Sequence, residues 1–367
     1  MSTKPYHLFF FFLACCAVCN AAHSTPTLKK KPLAAKPAEQ SAASGTAYAQ
    51  REDAMAAADD IASRRDLSQK WVRRAIAQAH YSPQIAKLIL PPAAGVAKNW
   101  RLYRSRFIEP IRIKAGVKFW QDNQASLERA AKETGVAPEI IVGIIGVESI
   151  YGQKMGGFRV IDTLATLAFD FPANHPRALE RSTFFKAELE QFLSLTHRTG
   201  VDPLTPLGSY AGAMGMSQFM PSSWLRYAID FDGDSRIDLF NSSSDAIGSV
   251  ANYFKAFHWQ PGMPTHYPLR FDESKLDLDG LLASDILPTF SIAALATKGV
   301  VLEGDALQHT GPMALIELQN GESPPSYVVG TENFYAITRY NWSSYYAMAV
   351  IELGQAVKQS LTDSLAK

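Results

Sequence analysis

The chain has 367 residues, 47% of them hydrophobic and 19% charged, and a formal net charge of +1. That length supports a sizeable apolar core and more than one compact unit. The balanced charge excludes a global basic field that would gather nucleic acid, and past the first two dozen residues no run of about 18 uncharged apolar residues is available to span a bilayer.

Lys4 and His7 precede an apolar run from Leu8 to Val18, which leads into the small residues Ala21 and Ala22. This order is that of a secretory signal peptide, residues 1–21, and predicts an exported protein. Cys15, Cys16 and Cys19 all fall in this segment, so the body has no thiol for a disulfide or a metal. Cleavage after Ala21 or Ala22 releases a soluble protein, whereas cleavage before Cys15 or Cys16 leaves a cysteine that can be lipidated; both routes stay open. Residues 22–50, rich in Ala, Pro, Lys, Ser and Thr, hold too little apolar surface to offset the entropy of ordering and read as a disordered tether.

From Arg51 to Leu90, Trp71, Ile76, Ile85 and Leu88 recur among alanines and charges in a helical pattern that stops at Pro91-Pro92. Val117 to Thr134 reads as a further helix with Phe119, Trp120, Leu127 and Ala130 on one face. The next begins at Pro138 and carries Ile140, Ile141, Val142, Ile144, Ile145 and Val147, leaving almost no polar face; such a helix is buried on all sides, and Gly152 fits just past its end. Helical patterns return at 177–197, 222–230 and 246–257. Between 260 and 330 the short runs Leu269-Arg270-Phe271, Leu287 to Ile292 and Ala314 to Leu318, bounded by Gly, Pro and Asp, read as a small, partly β insertion. A helical pattern returns at Tyr335 to Lys358.

Glu148 is the outlier. It ends the all-apolar helix behind Ile144, Ile145, Gly146 and Val147, where desolvation and the negative end of the helix dipole both raise a carboxyl pKa toward the range of a general acid. The alternative is a carboxylate that caps a loop or pairs with Lys154 or Arg159, and this segment alone leaves both readings open. Gly208 to Pro221 packs small residues beside Ser209 and Gln218, a composition suited to the lining of a groove for a polar ligand or to a tight turn. Tyr340-Asn341-Trp342-Ser343-Ser344-Tyr345-Tyr346 crowds aromatics with amide and hydroxyl groups, which fits a core as well as a sugar-stacking surface. Asp230, Asp232, Asp234 and Asp238 alternate as in an EF-hand loop, but Ser235 stands where that loop needs glycine and Asn241 where it needs glutamate, so an acidic turn fits equally. The histidines, His175 and His197 among them, show no metal-ligand spacing.

Taken together, Val142-Gly-Ile-Ile-Gly-Val-Glu-Ser-Ile-Tyr-Gly152, Gly212-Ala-Met-Gly215, Gln218-Phe-Met-Pro-Ser-Ser223, Asp245-Ala-Ile-Gly-Ser-Val-Ala-Asn-Tyr-Phe254 and Asn333-Phe-Tyr-Ala-Ile-Thr-Arg-Tyr-Asn341 resemble the membrane-bound lytic murein transglycosylase B family, glycoside hydrolase family 103. The resemblance covers roughly residues 100 to 357, with Ser217 where the family often has glycine. It implies a mainly α, α+β fold: a lysozyme-like helical core (136–259 and 331–344), a helical α-domain (51–135, completed by a C-terminal helix at 345–367) and a small β-containing domain (260–330). It implies cleavage between N-acetylmuramic acid and N-acetylglucosamine with 1,6-anhydro ends, and one catalytic acid/base at Glu148. Substrate contacts at Ser209, Gln218, Tyr340, Asn341 and Tyr346 follow from the same match. It also implies a longer EF-hand-like loop closed by Asp245, with structural calcium on Asp230, Asp232, Asp234, the Arg236 carbonyl and Asp245. The expected setting is the Gram-negative periplasm, with an outer-membrane lipid anchor as one of the two processing outcomes, peptidoglycan as the partner and room for cell-wall synthesis or division proteins. A non-catalytic peptidoglycan-binding module and a hydrolytic muramidase are the competing readings.

Overall fold

The computed structural model describes residues 47–91 and 97–365. The expected signal peptide, its cysteines and the tether as far as residue 46 lie outside the described residues. The tether ends earlier than its composition predicts. Tyr48 is 1% exposed in a 3-10 turn (Tyr48–Gln50), and its hydroxyl donates to Asp170 Oδ2 at 2.6 Å, so one aromatic ring anchors the start of the fold.

Three helices fill the first helical stretch, α1 (Glu52–Arg65), α2 (Gln69–Ala77) and α3 (Pro83–Leu88), the second and third capped by the Ser68 and Ser82 side chains. Next come α4 (Trp100–Ser105), α5 (Pro110–Asp122) and α6 (Gln124–Thr134). The single helix read over 117–134 is therefore two, parted at Asn123, which leaves the helical region (φ −122°, ψ 21°) and turns its amide onto the Phe119 carbonyl at 2.8 Å. The apolar helix, α7 (Pro138–Ser149), is buried as its sequence predicts, no residue from Ile140 to Val147 exceeding 7% exposure among its isoleucines and valines. Its left-handed cap is carried by Ile150 (φ 51°) instead of Gly152, with Tyr151 (φ 55°) also left-handed; two bulky residues there are costly and need their surroundings to hold them.

The chain continues through β1 (Phe158–Arg159), α8 (Val160–Phe169), α9 (Ala178–Thr199), β2 (Leu207–Gly208), α10 (Pro221–Tyr227) and α11 (Ser243–Ala256). The insertion holds β3 (His266–Tyr267), β4 (Arg270–Phe271), α12 (Leu278–Leu282), α13 (Ile292–Thr297), β5 (Val300–Val301), β6 (Ala314–Asn320) and β7 (Ser323–Gly330), followed by α14 (Glu332–Thr338) and α15 (Ser344–Leu365). The run Leu287 to Ile292 is not a strand; only Phe290 pairs, as a bridge to Met313. The last helical pattern is broken at 339–343, between α14 and α15. Strands β3, β7 and β6 form an antiparallel sheet in that order. Along β6, Ala314, Ile316 and Leu318 join the main core while Leu315, after Met313, joins a second small core with Tyr267, Leu281, Leu295 and Val329, as the alternation of strand side chains dictates.

The main core is continuous from α1 and α2 through α7 to α15, so residues 51–135 build no separate core. Helix α15 packs chiefly along α7 and then α5. The two helices cross closely because each offers a glycine there: a Cβ on Gly143 would meet the Val350 carbonyl at 2.2 Å, and one on Gly354 the Glu139 carbonyl at 1.9 Å. Helix propensity alone favours Gly143→Ala by about 1 kcal/mol, whereas overpacking against backbone costs about 1–3 kcal/mol. We expect packing to win: thermal unfolding should show Gly143→Ala with a lowered Tm, and a raised Tm would mean that the helices can part without loss.

Candidate active site

The Glu148 carboxyl sits at the end of α7, on the floor of a groove of about 830 Å³. It is half-buried and accepts a short hydrogen bond from the Tyr346 hydroxyl, supplied by α15 across the glycine crossing. Burial among the apolar residues of α7 pushes its pKa up to about 7, with the Tyr346 bond acting in the opposite direction. Neither partner offered by the alternative reading is used: Arg159 pairs with Asp162 at 2.6 Å, and no ion pair of Lys154 with Glu148 occurs among the described residues. A carboxyl with this pKa is protonated often enough at neutral pH to give a proton and ionised often enough to take one back.

The groove brings together all six sequence-predicted site residues, Glu148, Ser209, Gln218, Tyr340, Asn341 and Tyr346. Ser209 Oγ accepts from the Ala213 N–H at 3.0 Å and the Ala211 N–H at 3.2 Å, which leaves its own O–H as the group it can offer. Gln218 does more structural work than its sequence setting implies. Held at φ 47°, it donates to the Met155 carbonyl at 3.1 Å and the Gly215 carbonyl of its own loop at 2.9 Å, tying that loop to the segment after α7 and keeping its Oε1 as acceptor. Tyr340 stacks on Tyr346 (ring centroids 6.4 Å apart, 13° between planes) and donates to the Ser217 carbonyl. Asn341 is buried on the segment that breaks α14 from α15. The aromatic cluster thus divides: Tyr340 and Tyr346 face the groove, Tyr345 packs on Trp100 and Tyr103, and Trp342 covers Tyr335 and Arg339.

Residues 50–355 match the model of the transglycosylase SLT domain. The chain belongs to the SLT-domain family of lytic transglycosylases. It is 38% identical to membrane-bound lytic murein transglycosylase B of Escherichia coli over 324 residues, 85% of this chain and 84% of the relative. It superposes on the Escherichia coli lytic transglycosylase SLT35 in complex with bulgecin A with a TM-score of 0.76 at 37% identity, covering 90% of this chain and all of that one. The same enzyme is also solved in complex with calcium (TM-score 0.75, 37% identity, 90% of this chain and 100% of that chain). Soluble lytic transglycosylase SltB1 from Pseudomonas aeruginosa matches with a TM-score of 0.75 at 38% identity, over 84% of this chain and 99% of that chain. The mainly helical, lysozyme-like architecture and the reaction class, lytic cleavage of peptidoglycan glycan strands, follow from that membership.

Among the residues lining this groove the sequence reading missed Tyr253, Gln153 and the cations Arg106, Arg112 and Arg339, and it named a fourth cation, Lys154, only as an ion-pair partner of Glu148. Arg339 was within sight, one residue before Tyr340 in a motif already singled out; its guanidinium lies over the Trp342, Phe257 and Tyr335 rings at 5.2, 5.6 and 5.8 Å. Among the described residues that line the groove, Glu148 is the one carboxylate. Glu188, behind the wall, spends its two oxygens on Ser222, accepting from its N–H at 2.9 Å and its hydroxyl at 2.6 Å.

In the acidic loop, carboxylate oxygens of Asp230, Asp232 and Asp245 lie within 4.8 Å of one another. Asp234 stands outside this group and receives the Arg236 N–H at 2.8 Å; the Arg236 side chain is exposed. Asp245 is buried, its pKa raised by desolvation.

Because the Tyr346 hydrogen bond favours the carboxylate form, its removal raises the Glu148 pKa. Activity that needs protonated Glu148 is lost as pH rises through that pKa. In a pH–kcat profile, Tyr346→Phe should therefore carry its alkaline limb to higher pH than the parent enzyme; a limb that stays put or falls would mean that the hydroxyl does not govern the acid.

Proposed function

We propose that Glu148 carries out both proton transfers of the lytic reaction. Protonated, it delivers its proton to the glycosidic oxygen between N-acetylmuramic acid and N-acetylglucosamine as the C1–O bond breaks. The resulting carboxylate then removes the proton of the muramoyl C6 hydroxyl, whose oxygen closes on C1 to give the 1,6-anhydro end. No water is consumed, and the acid returns to its starting form. The positive charge that develops at C1 is met by the substrate's own 2-acetamido group, the substrate-assisted route. The observation that carries this reading is a single carboxylate, with its pKa near 7, in a groove lined by no other acid among the described residues. A hydrolytic muramidase of the usual kind flanks the bond with two carboxylates, and a simple binding module has no use for a desolvated acid. Ser209, through its hydroxyl, and Asn341, through its amide, are read as hydrogen-bond partners of the sugars, with Gln218 Oε1 as an acceptor and Tyr340 and Tyr346 as the wall behind the acid.

The acidic loop is read as a structural calcium site. Three carboxylates gathered within 4.8 Å repel one another unless a cation sits among them, and oxygen donors of this kind suit calcium. Asp230, Asp232 and Asp245 form the supported set; Asp234 and the Arg236 carbonyl complete it in the proposal. Its role is to hold the loop against the groove floor. The protein is assigned to the periplasm, in keeping with its leader and with a relative described as membrane-bound. No helix among the described residues is long and apolar enough to cross a membrane. A lipidated Cys15 or Cys16 is the reading offered for attachment.

Glu148→Gln should abolish release of anhydro-muropeptides from purified sacculi, by at least about a thousandfold for a lost acid/base, while sacculus binding is retained. Mass spectrometry of the parent digest should find anhydro ends; ends heavier by one water would replace the lytic assignment with hydrolysis. For the acidic loop, chelator should lower Tm and added calcium restore it, and Asp245→Asn should blunt that response. An unchanged Tm in the parent protein would remove the calcium assignment.

A further inference from the structure

The residue that follows the acid is fully buried and does three things at once. Ser149 Oγ donates to the Met216 carbonyl at 2.7 Å, lies 3.2 Å from the Ile145 carbonyl one turn back, and accepts the Gly152 N–H at 3.0 Å. A hydroxyl has one proton, so the shorter contact to Met216 takes it and Ile145 is a secondary acceptor. The bond from Gly152 spans Ile150 and Tyr151, the two left-handed residues that end α7. Their turn is also closed by backbone bonds: Ile150 N–H to Gly146 and Tyr151 N–H to Ile145, both at 3.3 Å, Gln153 N–H to the Ile150 carbonyl at 3.2 Å, and Lys154 N–H to the Ser149 carbonyl at 2.8 Å. Met216 is itself fixed from the other side: its N–H donates to the Leu239 carbonyl at 2.8 Å, and the neighbouring Asp238 N–H donates to the buried Asp245 carboxylate at 2.8 Å. One hydroxyl therefore joins the end of α7, the left-handed turn behind it and the Met216 segment, which runs between the groove residues Ala213 and Gln218 and is tied to the acidic loop through Leu239.

We propose that Ser149 is a positioning residue of the lytic reaction, its hydroxyl fixing the end of α7 between Met216 and Gly152 so that the Glu148 carboxyl stays at the depth where Tyr346 meets it. The proposal rests on the reading of Glu148 as the acid. Without the hydroxyl, the left-handed turn loses the bond that Gly152 makes to α7, and α7 loses its link to the Met216 segment. The carboxyl then gains positional freedom and water.

The test compares the parent protein with Ser149→Ala, Ser149→Cys, Ser149→Thr and Glu148→Gln, assayed for kcat, KM and pH profile on purified sacculi, with Tm measured for each. Cysteine keeps the volume with only a weak donor, so a folded variant is in hand should alanine open a cavity; threonine restores a hydroxyl. In the alanine and cysteine variants kcat should fall about 10- to 100-fold per folded molecule, as for a misplaced catalytic group, with KM within about twofold. Their alkaline limb should move to lower pH, since added water lowers a carboxyl pKa that burial had raised. Ser149→Thr should recover most of the lost kcat. A folded alanine or cysteine variant with parental kcat and limb overturns the proposal, as does a folded threonine variant no better than alanine. Failure of the underlying assignment reads differently, as an active Glu148→Gln variant, and overturns both.

Discussion

The close crossing of α7 and α15 is the contact on which the site depends. Gly143 and Gly354 let two backbones meet without side chains between them. That approach carries Tyr346, two residues into α15, onto the carboxyl of Glu148 near the end of α7. Around this pair the rest is arranged as support: α5, α6 and α11 cover the remaining faces of α7, and the segment before α15 delivers Tyr340 and Asn341 to the same groove. The carboxyl is buried enough to hold a proton near neutrality and is open to the groove on one side. Wider spacing between the two helices would remove the tyrosine; a tighter fit has no room, since carbonyls already occupy the space beside both glycines.

Four cations line a groove that contains one carboxyl, yet that carboxyl is displaced toward its neutral form. Desolvation sets that displacement, opposed by the Tyr346 hydrogen bond. An acid held close to Arg or Lys would have been pinned as the anion and could not donate at neutral pH. The division of labour is spatial: the Tyr346 hydroxyl meets the Glu148 carboxyl, while the guanidinium of Arg339 is taken up by the faces of three aromatic rings.

Much of this was legible in the chain itself. An unbroken apolar helix carrying a glutamate at its end singled out Glu148 without deciding its role, and the motif order made the family plain. What escaped the sequence did so for identifiable reasons. Helix α8 carries Thr, Ala and Leu with hardly a polar residue beyond Asp162, so its period is masked by burial on every side. The C-terminal pattern read as one helix because 339–343 holds no glycine or proline; the new start is marked by Ser343, whose hydroxyl accepts the Tyr346 N–H at 3.3 Å in the first turn of α15. Strand β7 was hidden by Pro324 and Pro325. They are tolerated because β3 pairs with β7 only at Val329 and Gly330, which leaves the proline end an edge. Tyr48 lay in a composition that argued for disorder, and a single buried ring decided otherwise. The acidic loop showed its carboxylates but not which of them converge, since that choice depends on the burial of Asp245 at the start of α11.

The alternating burial of β6 has a mechanical consequence. Ala314, Ile316 and Leu318 are part of the main core while Leu315 belongs to the small one, so a single strand is shared by both bodies. Swinging the insertion away from the helices, even by the width of a strand, would strip those three side chains of their packing and expose apolar surface on the catalytic unit itself. That shared packing ties the small domain to the helices as a buttress, although, among the described residues, none of its own lines the groove.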